Sequence, residues 1–348
     1  MRHGIRAGAT VAALCALVAV LAVGAGDSAG PGESVPRARH FGGAGGAAVA
    51  RAAALEWRGG RLATATGEQA TVFVSVSYPP EQVSEQAWAE FFAALPHGAE
   101  LALATVRIAP PAEVQQLCGA DVHGCYAGDE LVVPGEAADG VTAEEVARHE
   151  YGHHVAAHRS NPPWRAADSG PKRWATAEDV CRRTAARTAF PGGTGEYRLD
   201  PGEAFAEAYR VLVETRAGQV PTWDLVDGSF FPDPAALSAV DRDVARPWTA
   251  PVRTVVSRRF AARGPSRVLV PITLPFDGTV DVELSLPAGR LDGLELVEPK
   301  SLKVLARGLW SSARVRRLSH LSCGYRRLLV RVTRKGAPGP FRLAITRP

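Results

Sequence analysis

The sequence is poor in methionine and aromatic residues, and it has no long apolar run. The one methionine among the 348 residues is Met1, and aromatic residues make up only 7%. The longest apolar run, residues 9–23, is shorter than the roughly 20 residues that a transmembrane helix needs. With 46% hydrophobic and 22% charged residues, the chain does not have the composition of a disordered protein. We therefore expect a globular protein long enough for two domains.

The first residues have the pattern of a secretory signal peptide. Arg2 and Arg6 precede the apolar run, and small residues follow it. We predict a signal peptide at 1–26, then a linker or propeptide rich in Gly, Ala and Pro at 27–66. The protein would then be secreted and extracellular, without a transmembrane segment once the signal is removed. An uncleaved N-terminal anchor is the alternative.

Four cysteines remain after the predicted signal peptide, and none has the Cys-x-x-Cys spacing of a structural zinc site. An even number in an exported chain indicates disulfides. Cys118 and Cys125 are close enough to form a small loop, and Cys181 would then pair with Cys323. Sequence alone does not determine that connectivity.

The net charge of +4 conceals an asymmetry along the chain. Residues 299–348 contain thirteen Lys or Arg and no Asp or Glu, so the remainder carries 4 − 13 = −9. Such a basic segment could hold an exported protein near an anionic cell-envelope polymer. The simpler alternative is that these side chains cover the solvated face of strands. We predict no nucleic-acid partner.

One stretch, residues 149–153, has the sequence His-Glu-x-x-His, which is typical of zinc hydrolases. His149 and His153 are four residues apart, so on a helix both imidazoles project from one face and can bind one zinc ion. Glu150 would then lie beside the open position of the metal and act as general base. Thr142 and Glu145 form a predicted capping box, which places the motif inside a helix. The alternative is that the histidines are polar residues of a solvated helix face.

A catalytic zinc ion usually has three protein ligands, so a third residue is required. Metzincins are excluded, because their downstream glycine and histidine positions are Ala156 and Arg159 here. Glu203 and Glu207 share one face of a later helix that Asp200 is predicted to cap. One could bind the metal while the other hydrogen-bonds a liganding histidine. Alternatively, Glu203 belongs to a capping box and Glu207 is a solvated carboxylate.

The segment Glu203-Ala-Phe-Ala-Glu207-Ala-Tyr resembles the second helix of gluzincins, and most closely that of the anthrax lethal-factor-like branch. The resemblance covers about residues 142–214. It implies that Glu203 is a zinc ligand and that Glu207 is a carboxylate that contacts a liganding residue without binding the zinc ion itself. It also implies a catalytic tyrosine, Tyr197, whose offset from Glu203 differs by about one residue from the family pattern. That tyrosine would donate a hydrogen bond to the oxyanion of the reaction.

Together these features predict an α+β zincin catalytic domain at 67–250, followed by an all-β sandwich domain at 251–348. The alternating strands of the second part are similar to small β domains found after secreted bacterial peptidases. Residues 125–134 are predicted to form a hairpin or edge strand that could bind an extended peptide. His154 and His158, also four apart, are predicted to be surface residues.

The predicted function is that of a secreted zinc metallopeptidase, which hydrolyses a protein or peptide substrate with zinc-activated water. Two alternatives remain. One is a zinc hydrolase that acts on cell-wall amide bonds. The other is a non-catalytic protein that binds the cell envelope with a degenerate zincin fold.

Overall fold

The computed structural model describes residues 55–348. The predicted signal peptide and most of the predicted linker therefore lie outside the described residues. A mixed α/β region comes first, and antiparallel sheets follow it. This order confirms the predicted fold class. None of the helices in the described part is long and apolar enough to cross a membrane.

The first region is built on a five-stranded sheet with the order β1-β2-β3-β5-β4. The inner pairs β2/β3 and β3/β5 are parallel, and the outer pairs are antiparallel. β1 lies in the stretch that composition places in the linker, so the ordered region begins earlier than the predicted residue 67. The strands are β1 (Trp57–Ala63), β2 (Gln69–Ser75), β3 (Thr105–Ala109), β4 (Cys125–Ala127) and β5 (Glu130–Pro134).

Helices cover this sheet and enclose the apolar core of the region. A second, two-stranded sheet of β6 (Ser160–Asn161) and β7 (Trp164–Arg165) follows the third helix. The helices are α1 (Glu85–Ala94), α2 (Pro111–Cys118), α3 (Ala143–Ala157), α4 (Ala166–Ser169), α5 (Lys172–Ala177), α6 (Val180–Ala185), α7 (Pro201–Arg216) and α8 (Pro234–Ala245).

The close packing of α3 against α7 depends on one glycine. A Cβ atom added to Gly152 would lie 2.8 Å from Ala206 Cα, which is closer than real Cβ atoms approach backbone, and 3.0 Å from Ala206 O. Only glycine at this position therefore permits the observed approach of the two backbones. As a result, the buried faces of the two helices meet over the sheet.

The C-terminal region consists of two antiparallel sheets with the orders β13-β14-β10-β16-β8 and β12-β11-β15-β9. Alternating apolar residues from both sheets form a separate core, as in a sandwich. The hairpin β13–β14 is absent from the sequence prediction, because its residues scarcely alternate between apolar and polar. The strands are β8 (Val252–Phe260), β9 (Arg267–Thr273), β10 (Gly278–Ser285), β11 (Gly293–Val297), β12 (Val304–Arg307), β13 (Leu309–Ser312), β14 (Val315–Ser322), β15 (Arg327–Thr333) and β16 (Gly339–Arg347).

The four cysteines within residues 55–348 form the two predicted pairs, Cys118–Cys125 and Cys181–Cys323. The second disulfide joins α6 to the turn after β14, so it links the α/β region to the sandwich. Lys172 supports the same junction, because its buried ammonium donates to the carbonyl oxygens of Pro162 at 2.7 Å and Asp277 at 3.0 Å. Burial lowers the pKa of Lys172 to about 8.

Several arginines of the basic C-terminal stretch are paired with carboxylates of earlier strands. Arg317 contacts Glu283, and Arg331 contacts Glu295. Residues 251–298 nevertheless contain six acidic and six basic residues, so the net positive charge of the sandwich is not cancelled. Binding of an anionic cell-envelope polymer stays a prediction.

Candidate metal centre

Helix α3 presents the His-Glu-x-x-His motif as predicted. The capping box is present, because Thr142 Oγ1 accepts from Glu145 N while the Glu145 carboxylate accepts from Thr142 N. His149 and Glu150 are buried, at 6% and 7% exposure. His153, one turn later, is partly exposed. The motif therefore lies on the inner face of α3, and the alternative of a solvated helix face is wrong.

Helix α7 brings Glu203 to the two histidines. His149 Nε2 lies 3.2 Å from Glu203 Oε2 and 3.2 Å from His153 Nε2, and His153 Nε2 lies 3.3 Å from Glu203 Oε2. Four ligands at the usual Zn–N and Zn–O bond lengths are about 3.3 Å apart in a tetrahedron. The three donor atoms thus already have the mutual spacing that a zinc ion requires, and together they could hold a metal ion.

The alternative for Glu203, a place in a capping box, is wrong. Asp200 caps α7 with its own side chain, which accepts from Gly202 N at 2.8 Å. In a capping box Glu203 would accept from Asp200 N, but that group donates to Tyr197 O at 2.9 Å. The Glu203 carboxylate is instead buried at 2% exposure and faces the histidines.

Glu207 lies behind His149, on the side away from the three donor atoms. Its Oε1 is 3.8 Å from His149 Nδ1, which is too long for a hydrogen bond, and neither atom has a hydrogen-bond partner among the described residues. Glu207 Oε2 accepts from Arg210 Nε at 2.6 Å. Arg210 in turn binds Glu214 at 2.7 Å. Burial alone would lower the pKa of Arg210, but these two carboxylates raise it.

Tyr197 reaches the same group from the turn before α7. Its hydroxyl donates to Glu203 Oε2 at 2.7 Å, so it contacts the carboxylate oxygen that faces both histidines. Burial raises the pKa of Tyr197 well above its usual range, and the nearby carboxylates, led by Glu203, raise it further. The phenol is therefore a hydrogen-bond donor at the edge of the candidate metal site.

The hairpin β4–β5 covers the motif helix near Glu150. A Cβ atom added to Gly124, just before β4, would lie 3.0 Å from Glu150 Oε1 and 2.6 Å from Val146 Cγ1. Tyr126, in β4, stacks on the His153 ring with the ring centroids 6.5 Å apart. β4 is the last strand of its sheet in the described part. The predicted edge strand thus lies beside the candidate metal site.

The second histidine pair of α3 differs from the prediction. His154 is fully buried, at 0% exposure, so its prediction as a surface residue is wrong. The reason is the hairpin β4–β5, whose turn residue Asp129 contacts both His154 and His158. Burial lowers the pKa of His154. The residues Gly124, Tyr126, Asp129 and Gly152 have no motif that would have marked them in the sequence.

Comparisons with known proteins do not assign this chain to a family. No protein-family model matches it, and no curated protein matches it. Among solved structures, the pre-peptidase C-terminal domain of a collagenase from Bacillus anthracis is similar at 11% identity, with a TM-score of 0.24, over 27% of this chain and 89% of that one. PliG, a periplasmic inhibitor of g-type lysozyme from Aeromonas hydrophila, is similar at 8% identity, with a TM-score of 0.20, over 28% of this chain and 84% of that one. At these TM-scores neither likeness identifies a function.

Proposed function

We propose that this protein is a secreted zinc metallopeptidase. The observation that carries the proposal is the spacing of 3.2–3.3 Å between donor atoms of His149, His153 and Glu203. These residues come from two helices that are distant in sequence. A chance occurrence of the short histidine motif therefore does not explain why the three donor atoms meet. The two disulfides support an oxidising compartment outside the cytoplasm.

In the proposed site, His149, His153 and Glu203 hold the metal ion. A bound zinc ion lowers the pKa of water and polarises a carbonyl oxygen. Glu150 follows the first ligand directly and is also buried, and its carboxylate would take a proton from the attacking water and pass it to the leaving amine. The Tyr197 hydroxyl, which donates to Glu203 Oε2 in the structure, would turn to the substrate oxygen and stabilise its negative charge with that hydrogen bond.

The proposed substrate is a peptide in extended conformation. β4 is an edge strand next to the donor group, and an extended peptide can add to such an edge by main-chain hydrogen bonds. The scissile carbonyl would then lie near His153, which is partly exposed and stacks with Tyr126 of β4. Pairing by backbone favours protein substrates over a glycan, which offers no such ladder.

The proposal is tested by Glu150→Gln. This variant keeps the size of the side chain but removes the base, so kcat/KM on denatured casein should fall by about 10²–10⁴-fold while the zinc content stays unchanged. Glu144→Gln, an exposed residue on the same helix, is the matched control and should retain wild-type activity.

Two results would contradict the proposal. An active Glu150→Gln enzyme would exclude the mechanism. Release of amide products from peptidoglycan, without cleavage of casein, would keep the zinc site but assign it to the hydrolysis of cell-wall amides.

A further inference from the structure

We propose that Asp129, His154 and His158 form a second binding site for a divalent transition-metal ion, next to Tyr126. One donor atom from each of the three residues lies within 4.8 Å of the others. The site requires none of the residues proposed for hydrolysis, so it stands or falls independently of that function.

The orientation of His154 is the first argument. Its Nε2 lies 2.8 Å from the carbonyl oxygen of Glu100. A carbonyl oxygen can only accept, so Nε2 carries the hydrogen and Nδ1 has the lone pair. A hydrogen bond from one ring nitrogen to a backbone carbonyl is the arrangement that orients metal-binding histidines. His154 Nδ1 therefore has a lone pair available for a metal ion, on a ring whose orientation is fixed.

The surroundings of that nitrogen are the second argument. His154 Nδ1 is fully buried and has no hydrogen-bond partner among the described residues. It lies 3.5 Å from Asp129 Oδ1, which is also an acceptor. Two acceptors that face each other at this distance repel, whereas a cation between them satisfies both. His154 Nδ1 is therefore left without a hydrogen-bond donor or a cation among the described residues.

Asp129 and His158 complete the group. Gly128 and Asp129 both have positive φ angles, +57° and +70°, as in the tight turns that suit a two-residue hairpin. The turn directs the Asp129 carboxylate to the end of α3, where Oδ1 lies 2.7 Å from His158 Nε2. Tyr126 also donates to this oxygen, at 3.2 Å. The Asp129 side chain is 45% exposed, so water can supply the remaining ligands.

Two imidazoles and one carboxylate favour zinc or a neighbouring transition metal over Mg²⁺ or Ca²⁺, which prefer oxygen ligands. A cation here would join the hairpin β4–β5 to the last turn of α3. It would therefore fix the edge strand that lies beside the first site, which gives the second ion a positioning role.

The test is the zinc content of the full chain after saturation with Zn²⁺ and dialysis, measured by plasma emission spectroscopy. We expect two ions per chain in the wild type and one in Asp129→Asn and in His158→Gln. Asn keeps the positive φ angle at position 129, so the hairpin should persist. Asp121→Asn is the matched control, because Asp121 is exposed, has φ +61° and lies outside the group.

The variant His153→Gln separates this site from the first one. It should also hold one ion, and the double variant His153→Gln/Asp129→Asn should hold none. A single ion in Asp129→Asn that is absent from His153→Gln/Asp129→Asn assigns the remaining ion to the first site. Two results would overturn the second site. In one, the wild type binds a single ion and Asp129→Asn still binds it. In the other, the wild type binds two ions and both Asp129→Asn and His158→Gln still bind two. Loss of every ion in Asp129→Asn, with one retained in His153→Gln, would support the second site and refute the first.

Discussion

Helix α3 and its C-cap residue carry two histidine pairs with the same spacing, and the two pairs differ in the residues that face them. His149 and His153 face Glu203 from α7, with the three donor atoms 3.2–3.3 Å apart. His154 and His158 face Asp129 from the turn between β4 and β5, at 3.5 and 2.7 Å. The first partner comes from a rigid packed helix and is buried. The second comes from a hairpin turn and is half exposed.

This difference suggests separate roles for the two groups. The first group has Glu150 and Tyr197 close by, so it combines three possible metal ligands with a carboxylate and a phenol, as the proposed hydrolysis requires. The second has only a phenol that hydrogen-bonds the carboxylate. Equal histidine spacing therefore does not imply equal function, and the neighbouring elements decide which pair supports chemistry.

The largest expected effect comes from Glu203→Ala. It removes a ligand from the first group only, so zinc affinity at that site should fall by more than about 100-fold, beyond the effect of losing an outer hydrogen bond. Hydrolysis of casein should disappear. Asp129→Asn should leave measurable hydrolysis. Isothermal titration with Zn²⁺ and a casein assay on both variants measure these effects. Loss of activity in Asp129→Asn, with activity retained in Glu203→Ala, would contradict the separate roles of the two groups.

The second largest effect on hydrolysis is expected from Tyr197→Phe. Loss of one oxyanion donor costs about 10²–10³-fold in kcat in other hydrolases. We expect a fall of that order with KM and zinc content nearly unchanged, measured by steady-state kinetics on a peptide. A rise in KM alone would show that the phenol only positions substrate, and loss of zinc would show that it only supports Glu203.

Gly152→Ala tests the close packing that brings α7 to the first pair. The added methyl group meets the Ala206 backbone, so the free energy of unfolding should fall by about 1–3 kcal/mol. Zinc binding at the first site should weaken as well, while the second pair keeps its partner. Gly228→Ala is the control, because a Cβ there meets no atom within 4 Å. Urea denaturation of both variants measures the difference. An unchanged free energy of unfolding in Gly152→Ala would contradict the role of this glycine.

Glu207→Gln should have the smallest effect. It removes the negative charge behind His149, and loss of such an outer partner usually weakens metal binding by about 10–100-fold. The matched variant is Glu214→Gln, which removes the other carboxylate bound to Arg210. Glu207 and not Glu214 faces His149, so the zinc affinity of Glu214→Gln should change less. Equal losses in the two variants would show that the arginine network, and not the charge beside His149, matters.

Much of the first site could be predicted from the sequence, because its signals are local. The Thr142–Glu145 capping box places the motif inside α3, and Asp200 followed by Pro201 marks the start of α7. Helical geometry then puts His149 and His153 on one face. Which carboxylate of α7 reaches them depends on a tertiary contact. The residues alone left Glu203 and Glu207 as candidates, and the resemblance to gluzincins favoured Glu203.

The second group could not be predicted, because nothing local shows which element covers a helix face. His154 has the same sequence context as a surface residue until the hairpin β4–β5 folds over it. Similarly, residues Trp57–Ala63 have the glycine content of a linker but pair with β2 along their whole length. In both cases the deciding contact joins residues that are far apart in sequence.

The most direct test of the central claim is an anomalous difference map at the zinc absorption edge, from crystals of the full chain grown with Zn²⁺. We predict a peak within about 2.0–2.2 Å of His149 Nε2, His153 Nε2 and a Glu203 carboxylate oxygen. A map without a peak there, or with Glu203 turned away from a zinc ion bound by the two histidines, would contradict the account.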